Sequence, residues 1–418
     1  MSLPPMTFEA DNVRFFLSPG DRSRLGSLPW QYPLETWNER NVRLLQVRSG
    51  LSRHVVRFLE SSDHRFAVKE TTLESARREF ETYVRLRRLD VPTLRPVGVV
   101  ARDDGPKVVK TTVGPQVQQA VAGYLVTELM DKVIPDSILF RRAFSRENRN
   151  RIWDAVVRLF VRLHSNGVYW GDASLANMLI HFSTVTVPEL GRRTSLSAVL
   201  ADAETVEIHR TISDQLRQAD LEFFLESMQW TEADLIASGV VRDTLMTQGD
   251  MEYLRRLYEE LFAIELEMRS FELITQIDAD RMLGNFDVKG YGKLLLQHIN
   301  EHKWYMSERR GGEVTVVEGA EDWYREVFKP VCRIFQEYGL VEYFPDMTAS
   351  SLYVEIMEHK YFMSQREKRD VGLVAAVEDY CKRFARAEPF RLTLDSIIQA
   401  LRSLFTGLPS ASGDIYLS

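Results

Sequence analysis

The stretch Tyr169-Trp170-Gly171-Asp172-Ala173-Ser174-Leu175-Ala176-Asn177-Met178-Leu179-Ile180 constrains this chain more than any other. It follows Arg146–Ser165, where Ile152, Val156, Leu159, Phe160 and Leu163 recur at helical intervals and Asn166-Gly167 suits a C-cap. An Asp five residues ahead of an Asn sets two oxygen-bearing side chains on a short loop at the mouth of an apolar strand. Further on, Ala198-Val199-Leu200-Ala201 delivers Asp202-Ala203-Glu204. A carboxylate at the end of an apolar strand is costly to bury without a partner, and a divalent cation is a natural one. The bland reading of the loop is an Asx-rich turn capping a strand. The helix before it and Asp202 after it argue for more.

Upstream, Val42–Glu70 reads as an antiparallel meander: Val42–Val47, a turn at Arg48-Ser49-Gly50, Val55–Leu59, a turn at Ser61-Ser62-Asp63, and Arg65–Lys69. Leu73–Leu89 has helical periodicity through Ala76, Phe80, Tyr83, Val84 and Leu86, and Val91-Pro92 breaks it. Strands are expected at Arg95–Val100, Lys107–Thr112 and Tyr124–Leu129. From Ser213 the chain reads as mainly helical, with helices at Met251–Thr275, Lys289–Glu301, Ala320–Tyr338, Leu352–Phe362 and Val371–Ala385. Gly311–Val317 reads as a turn and a short strand. No internal repeat is apparent. A soft boundary falls near Gly239–Asp250, where periodicity resumes after Gly and polar residues.

At 418 residues the chain is too long for one ordinary core, and two or three domains are expected. The expected division is an extension at 1–40, a strand-rich part at 41–130, a helical core at 131–245 and a mainly helical domain at 246–418. Trp30, Tyr32, Pro33 and Trp37 suit packing of the extension on its neighbour. A net charge of -7 argues against a protein that coats nucleic acid. Two cysteines, Cys332 and Cys381, make no disulfide framework and no CxxC spacing, so a reducing cytoplasm is the expected setting. No basic stretch leads into an apolar core at Met1–Asp11, and Arg158 and Arg162 interrupt the apolar run Val156–Leu163, so neither a secretory signal nor a membrane span is expected.

Phosphoryl transfer needs a loop over the phosphates, a cation on them, ligands for Mg²⁺ and a group that orients the nucleophile. Each has a counterpart here. Ser49, Gly50 and Ser52 lie on a loop whose backbone amides can face phosphate oxygens, although alone this is an ordinary hairpin turn. Lys69 ends a Phe-Ala-Val-Lys strand, and alternation points it away from Val68. Its helix partner is read as Glu79, with Glu74 and Glu81 as rivals that helical phase alone leaves open. Asp172 would orient the attacking hydroxyl. Asn177 and Asp202 would ligate Mg²⁺, with Glu204 either adding a carboxylate or forming a salt bridge. His164 is read as packing or hydrogen-bonding beside the loop. The runs Arg77-Arg78 and Arg85–Arg88 are read as solvated helix faces.

These motifs resemble the atypical kinases of the RIO and lipopolysaccharide (Kdo/WaaP-type) groups. The resemblance is carried by Ala67-Val68-Lys69, Arg78-Glu79-Phe80, Gly171-Asp172 through Asn177, and Leu200–Glu204. Ser52–Phe58, Trp170–Asp172 and Asp202–Thr205 look most like a bacterial lipopolysaccharide-kinase-like family of unassigned function. The resemblance implies an α+β, two-lobed fold with an antiparallel β N-lobe, a helical C-lobe and an additional helical C-terminal domain. It also implies ATP in the cleft, with adenine on the hinge backbone at Glu128-Leu129-Met130, and Mg²⁺ on Asp202 and Asn177. The acceptor hydroxyl stays open between a small molecule, a sugar and a protein. A nucleotide-binding regulatory module, with a protein partner on the C-terminal helices, is the alternative. Several positions depart from common kinases: Trp170 stands where many have His, Ser174 replaces a Lys, and Ala203-Glu204 replaces Phe-Gly. The segment His181–Ser197 is longer than usual, and no activation loop or Ala-Pro-Glu motif follows.

Overall fold

The computed structural model describes residues 8–10, 12–38, 42–46, 54–111, 114–135, 145–187, 191–239, 247–278, 291–386 and 391–406. The chain divides into two compact units, residues 1–183 with 195–259, and residues 184–194 with 260–418.

The first unit begins with β1 (Phe8–Ala10), β2 (Val13–Leu17) and the short helix α1 (Pro19–Leu25), capped by Ser18. Then come β3 (Val56–Ser61), β4 (His64–Thr72), α2 (Leu73–Arg88), β5 (Pro96–Thr111) and β6 (Gly114–Glu128). The strands form one six-stranded sheet in the order β1-β2-β5-β6-β4-β3, with antiparallel neighbours. Strand alternation buries Phe66 and Val68 of β4 on one face, together with Phe15, Leu17, Val100 and Val126. Trp30 and Trp37 complete that core, their rings 5.1 Å apart and edge-on. Ala67 and Lys69 therefore point to the other face. There α2, started by Thr72 accepting the Ser75 amide, buries Ala76, Glu79, Phe80, Tyr83 and Leu86.

Three local expectations change. The chain turns back at Val42–Leu44, where the Leu44 amide bonds the Val42 carbonyl, so among the described residues of the expected strand Val42–Val47 there is an isolated bridge from Leu44 to Leu59 in place of a strand. Phe8–Ala10 and Val13–Leu17 add two strands at one side of the sheet, β1 at its edge. Asp103-Asp104-Gly105, loop-like by composition, is absorbed into β5 as an irregularity: Gly105 takes φ +76° and its amide bonds Asp103 Oδ1, so one long strand replaces two.

Past the sheet come β7 (Val133–Pro135), α3 (Arg146–Ser165), β8 (Val168–Tyr169), β9 (Met178–Val187), β10 (Gly191–Leu200), β11 (Glu207–Ile208), α4 (Asp214–Ala237) and α5 (Gln248–Thr275). β9 pairs with β7 and β10, and β8 pairs with β11. These small pairings frame the loop between Tyr169 and Met178. An antiparallel sheet with one packed helix, followed by a helical part, gives the α+β, two-lobed kinase-like architecture, and a further helical region follows it.

That region comprises α6 (Gly292–Arg310), α7 (Val316–Trp323), a π-helical turn at Tyr324–Phe328, α8 (Lys329–Glu337), α9 (Ala349–Glu367), α10 (Gly372–Phe384) and α11 (Arg391–Thr406). The π-turn runs into α8 just ahead of Pro330, which lacks an amide for the regular ladder. The short strand expected at Gly311–Val317 is instead a helix start. Gly311 closes α6 in the left-handed region, and Thr315 and Glu318 form a reciprocal capping box that outweighs the β-branched run.

The helical region also contains a repeat, contrary to the sequence reading. Glu301-His302-Lys303-Trp304-Tyr305-Met306-Ser307 and Glu358-His359-Lys360-Tyr361-Phe362-Met363-Ser364 align at an offset of 57 positions. The same offset joins Leu295 to Leu352, Ile299 to Ile356, Val314 to Val371 and Asp322 to Asp379. The bonding repeats with it. His302 Nε2 meets Asp322 Oδ2 at 2.9 Å, and His359 Nε2 meets Asp379 Oδ2 at 2.7 Å. The Val314 amide donates to Ser307 Oγ at 3.1 Å, and the Val371 amide to Ser364 Oγ at 3.3 Å. Gly311 and Lys368 close α6 and α9 at φ 66° and 55°. One helix hairpin is thus present twice, α6–α7 and α9–α10, each pinned across its two helices by a His–Asp pair.

Candidate functional site

Lys69 is the centre of the site. Its Nζ lies 3.0 Å from Glu79 Oε2, 3.1 Å from Asp202 Oδ2 and 3.5 Å from Glu204 Oε2. Of the three helix glutamates weighed, Glu79 is the one on the buried stripe of α2, whereas Glu74 and Glu81 are exposed. Burial pushes the Glu79 carboxyl up to about 7, against the opposing pull of Lys69. Burial works to lower the Lys69 ammonium, but Glu79 and Asp202 together hold it above its usual range.

Asp202 is delivered by β10 and held from several sides. Its Oδ1 accepts the Glu204 amide at 3.0 Å, its carbonyl accepts the Trp170 indole N–H at 3.1 Å, and the preceding Ala201 carbonyl accepts the Tyr83 hydroxyl at 2.7 Å. Glu204 bonds His54 Nε2 at 3.1 Å. Partial burial opposes ionisation of Glu204, but Lys69 and His54 hold its carboxyl below the usual range.

The Gly171–Asn177 loop closes on itself. Asn177 Nδ2 donates to the Asp172 carbonyl at 3.0 Å and to Asp172 Oδ2 at 3.2 Å, which leaves its amide oxygen as an acceptor. Gly171 sits at φ +81°, a left-handed conformation in which a side chain would be strained, with the Thr205 carbonyl 3.3 Å from where a Cβ would lie. Asp220 of α4 anchors the loop. Its carboxylate accepts the Trp170 amide at 2.7 Å and the Gly171 amide at 2.8 Å, and takes His164 Nε2 at 3.2 Å. The Tyr258 hydroxyl meets the other ring nitrogen of His164 at 2.6 Å. Asp220, Tyr83 and Tyr258 were missed as site residues in the sequence. The available signal was Asp220 standing beside Leu221 on an apolar helix stripe, where a carboxylate must find donors.

These groups face one cleft of about 1030 Å³. Val56, Ala67, Leu125, Val133 and Leu179 supply apolar walls, and Glu128, Leu129 and Met130 line it where β6 ends. The Leu129 amide is used by the Arg65 carbonyl at 2.9 Å. Thus Lys69, Glu79, Glu128, Met130, Asp172, Asn177, Asp202 and Glu204 all line one cavity. Ser49, Gly50 and Ser52 lie outside the described residues. Among the described residues no group of three or more His, Cys, Asp or Glu is arranged to hold a metal. The expected Mg²⁺ pair is instead one amide oxygen and one carboxylate.

A sheet-borne lysine paired with a helix glutamate, a strand-borne aspartate beside it and an Asp–Asn loop across the cleft define an atypical kinase-like fold. Residues 47–238 match the lipopolysaccharide kinase (Kdo/WaaP) family, and residues 315–385 match a domain of unknown function (DUF4032). The match of that segment to a kinase family supports a phosphotransferase. None of the curated proteins matches the chain by sequence. Similar solved structures include WaaP in complex with acyl carrier protein, at 16% identity over 59% of this chain and 98% of that one, with a TM-score of 0.34. The Rio2 kinase–ADP/Mg²⁺–phosphoaspartate complex from Chaetomium thermophilum is 14% identical over 64% and 77%, with a TM-score of 0.30. An aminoglycoside-3'-phosphotransferase of type VIII is 17% identical over 58% and 99%, with a TM-score of 0.31.

Proposed function

We propose that this chain is an ATP- and Mg²⁺-dependent phosphotransferase acting on an acceptor hydroxyl. The observation that carries the reading is Lys69 held between Glu79 and Asp202, at 3.0 and 3.1 Å, in the cleft that Asp172 and Asn177 also line. The donor chemistry fits the cofactors: Asn177 keeps an amide oxygen and Asp202 a carboxylate, the hard oxygen ligands that Mg²⁺ takes. Magnesium-bound ATP would supply the phosphoryl group and neutralise its charge.

Glu79 fixes the Lys69 ammonium, which would hold phosphate oxygens. The backbone at Glu128 and Met130 would hold the adenine. Asp172 would accept the acceptor's proton as the new oxygen–phosphorus bond forms and the bond to the departing diphosphate breaks. Asp220 fixes the loop through its backbone, and Asn177 Nδ2 steadies the Asp172 carboxylate. The divisions at residues 40, 130 and 245, and a protein partner on the C-terminal helices, belong to the same reading. Among the described residues no helix is long and apolar enough to cross a membrane.

A nucleotide-binding module without transfer is the second reading. It is favoured by Glu204, which engages both Lys69 and His54 where a Phe-Gly switch is common. Labelled γ-phosphate, offered with an acceptor panel, separates the two. Transfer that disappears in Asp172→Ala and Asp202→Ala supports the enzyme. Tight ATP binding with no transfer supports the module.

A further inference from the structure

One helix face in the cleft is not used by the groups above. Phe223, Ser227, Trp230, Thr231 and Asp234 fall on a single face of α4 and all line the cavity that Asp172 lines. The adjoining face is spent on the core through Leu221, Phe224, Leu225 and Met228. Trp230 is 57% exposed, an unusual state for so large an aromatic, and its ring stands edge-on to Phe223 at 6.1 Å. Asp234 lies one turn beyond Trp230 and is exposed, with no ion-pair partner among the described residues.

The charges along the cavity are uneven. Its cationic side chains, His54, Arg57 and Lys69, come from β4 and from the segment leading into and along β3, and Lys69 and His54 are already paired with carboxylates. The end formed by α4 and the Asp172 loop contributes Asp172 and Asp234 and no Lys, Arg or His. Two carboxylates repel a phosphorylated or carboxylated acceptor and attract a cation. An open indole face beside a carboxylate is a site for a protonated amine.

We propose that the α4 face is the acceptor subsite and that the acceptor is a hydroxyl compound carrying a protonated amine, with the cation seated against Trp230 and Asp234. This rests on the phosphotransferase reading. Trp230 and Asp234 are then specificity-determining residues, while Asp172 remains the group that meets the reacting hydroxyl.

The test uses the full chain with ATP and Mg²⁺ and offers ethanolamine, 3-aminopropanol and glucosamine, each beside its N-acetyl form. ATP affinity is measured separately. The expected result is transfer to the amines, with kcat/KM about tenfold above their N-acetyl partners. Trp230→Ala and Asp234→Asn should each erase most of that preference through KM, with ATP affinity retained, which also shows that the variants fold. The proposal is overturned if the N-acetyl forms serve equally well, if no amine is accepted by protein that binds ATP, or if the preference survives both substitutions. Failure of the wild-type chain to bind ATP would instead remove the phosphotransferase reading beneath it.

Discussion

Lys69 on β4 and Glu79 on α2 meet at 3.0 Å, and the glutamate side chain is 1% exposed. The pair joins sheet to helix at the cleft, and its two roles pull in opposite directions with pH. The Glu79 carboxyl is raised from 4.5 to about 7, so the fold favours its protonated form. Its contribution to stability is complete below about 4.5 and is lost as the pH rises through about 7. Its proposed role needs the ionised form. ATP-dependent transfer should therefore fall as the pH drops below about 7, approaching about tenfold per unit. Glu79→Gln should lower the rate and flatten that limb. A profile level from pH 8 to pH 6, or the same inflection in Glu79→Gln, would count against the pairing.

Asp220 should matter without approaching the acceptor. It is fully buried and accepts the Trp170 and Gly171 amides and His164. Asp220→Ala leaves those donors unpaired and should cost about 3 kcal/mol or more in chemical denaturation. Asp220→Asn keeps one acceptor oxygen and should cost less while still lowering kcat. Wild-type stability in Asp220→Ala would sink this account of the loop.

His298 gives the helical region an acid sensitivity. It is buried, and among the described residues its Nδ1 has no hydrogen-bond partner. Burial first, and Lys360 second, lower it from 6.5 to about 3. A depressed histidine contributes stability that is present above about 6.5 and lost as the pH falls toward about 3. One proton corresponds to about 1.4 kcal/mol per pH unit over that window. His298→Leu should shallow the slope of stability between pH 6 and pH 4. An unchanged slope would show that other groups govern it.

The duplicated hairpins predict matched responses. His302→Ala and His359→Ala remove equivalent bonds of 2.9 and 2.7 Å, and each should destabilise the chain by about 1–2 kcal/mol. Guanidinium denaturation monitored by helical circular dichroism measures both. A large loss for one and none for the other would mean that the two closures do different jobs.

The cleft was legible where chemistry demands particular residues at short range. Asp172 and Asn177 share one loop, Lys69 ends a strand, and Asp202 ends an apolar run, so local pattern locates them. What it could not do was choose between Glu74, Glu79 and Glu81, because that depends on which face of α2 meets the sheet. Asp220 was invisible for a related reason: its donors are backbone amides 49 and 50 positions away, and backbone amides leave no mark in a sequence. β1 and β2 are short strands that reach the sheet only through the pairing of β2 with β5, which lies far along the chain. Asp103-Asp104-Gly105 carries turn chemistry that the long hairpin takes up as an irregularity. The repeat escaped because its identities are scattered over helix surfaces and turns, and the shared His–Asp bonds make it plain.

Two copies of one hairpin in a single molecule amount to an experiment in sequence tolerance. Where both copies keep the same residue, the hairpin itself supplies a reason for His, Ser and Asp, which form its closing bonds. It supplies none for the aromatic doublets Trp304-Tyr305 and Tyr361-Phe362, which stay aromatic in both copies although Trp304 is 55% and Phe362 57% exposed. Drift should have turned such positions polar at least once. The chain's own repetition thus singles out these surface side chains as kept for something outside the hairpin.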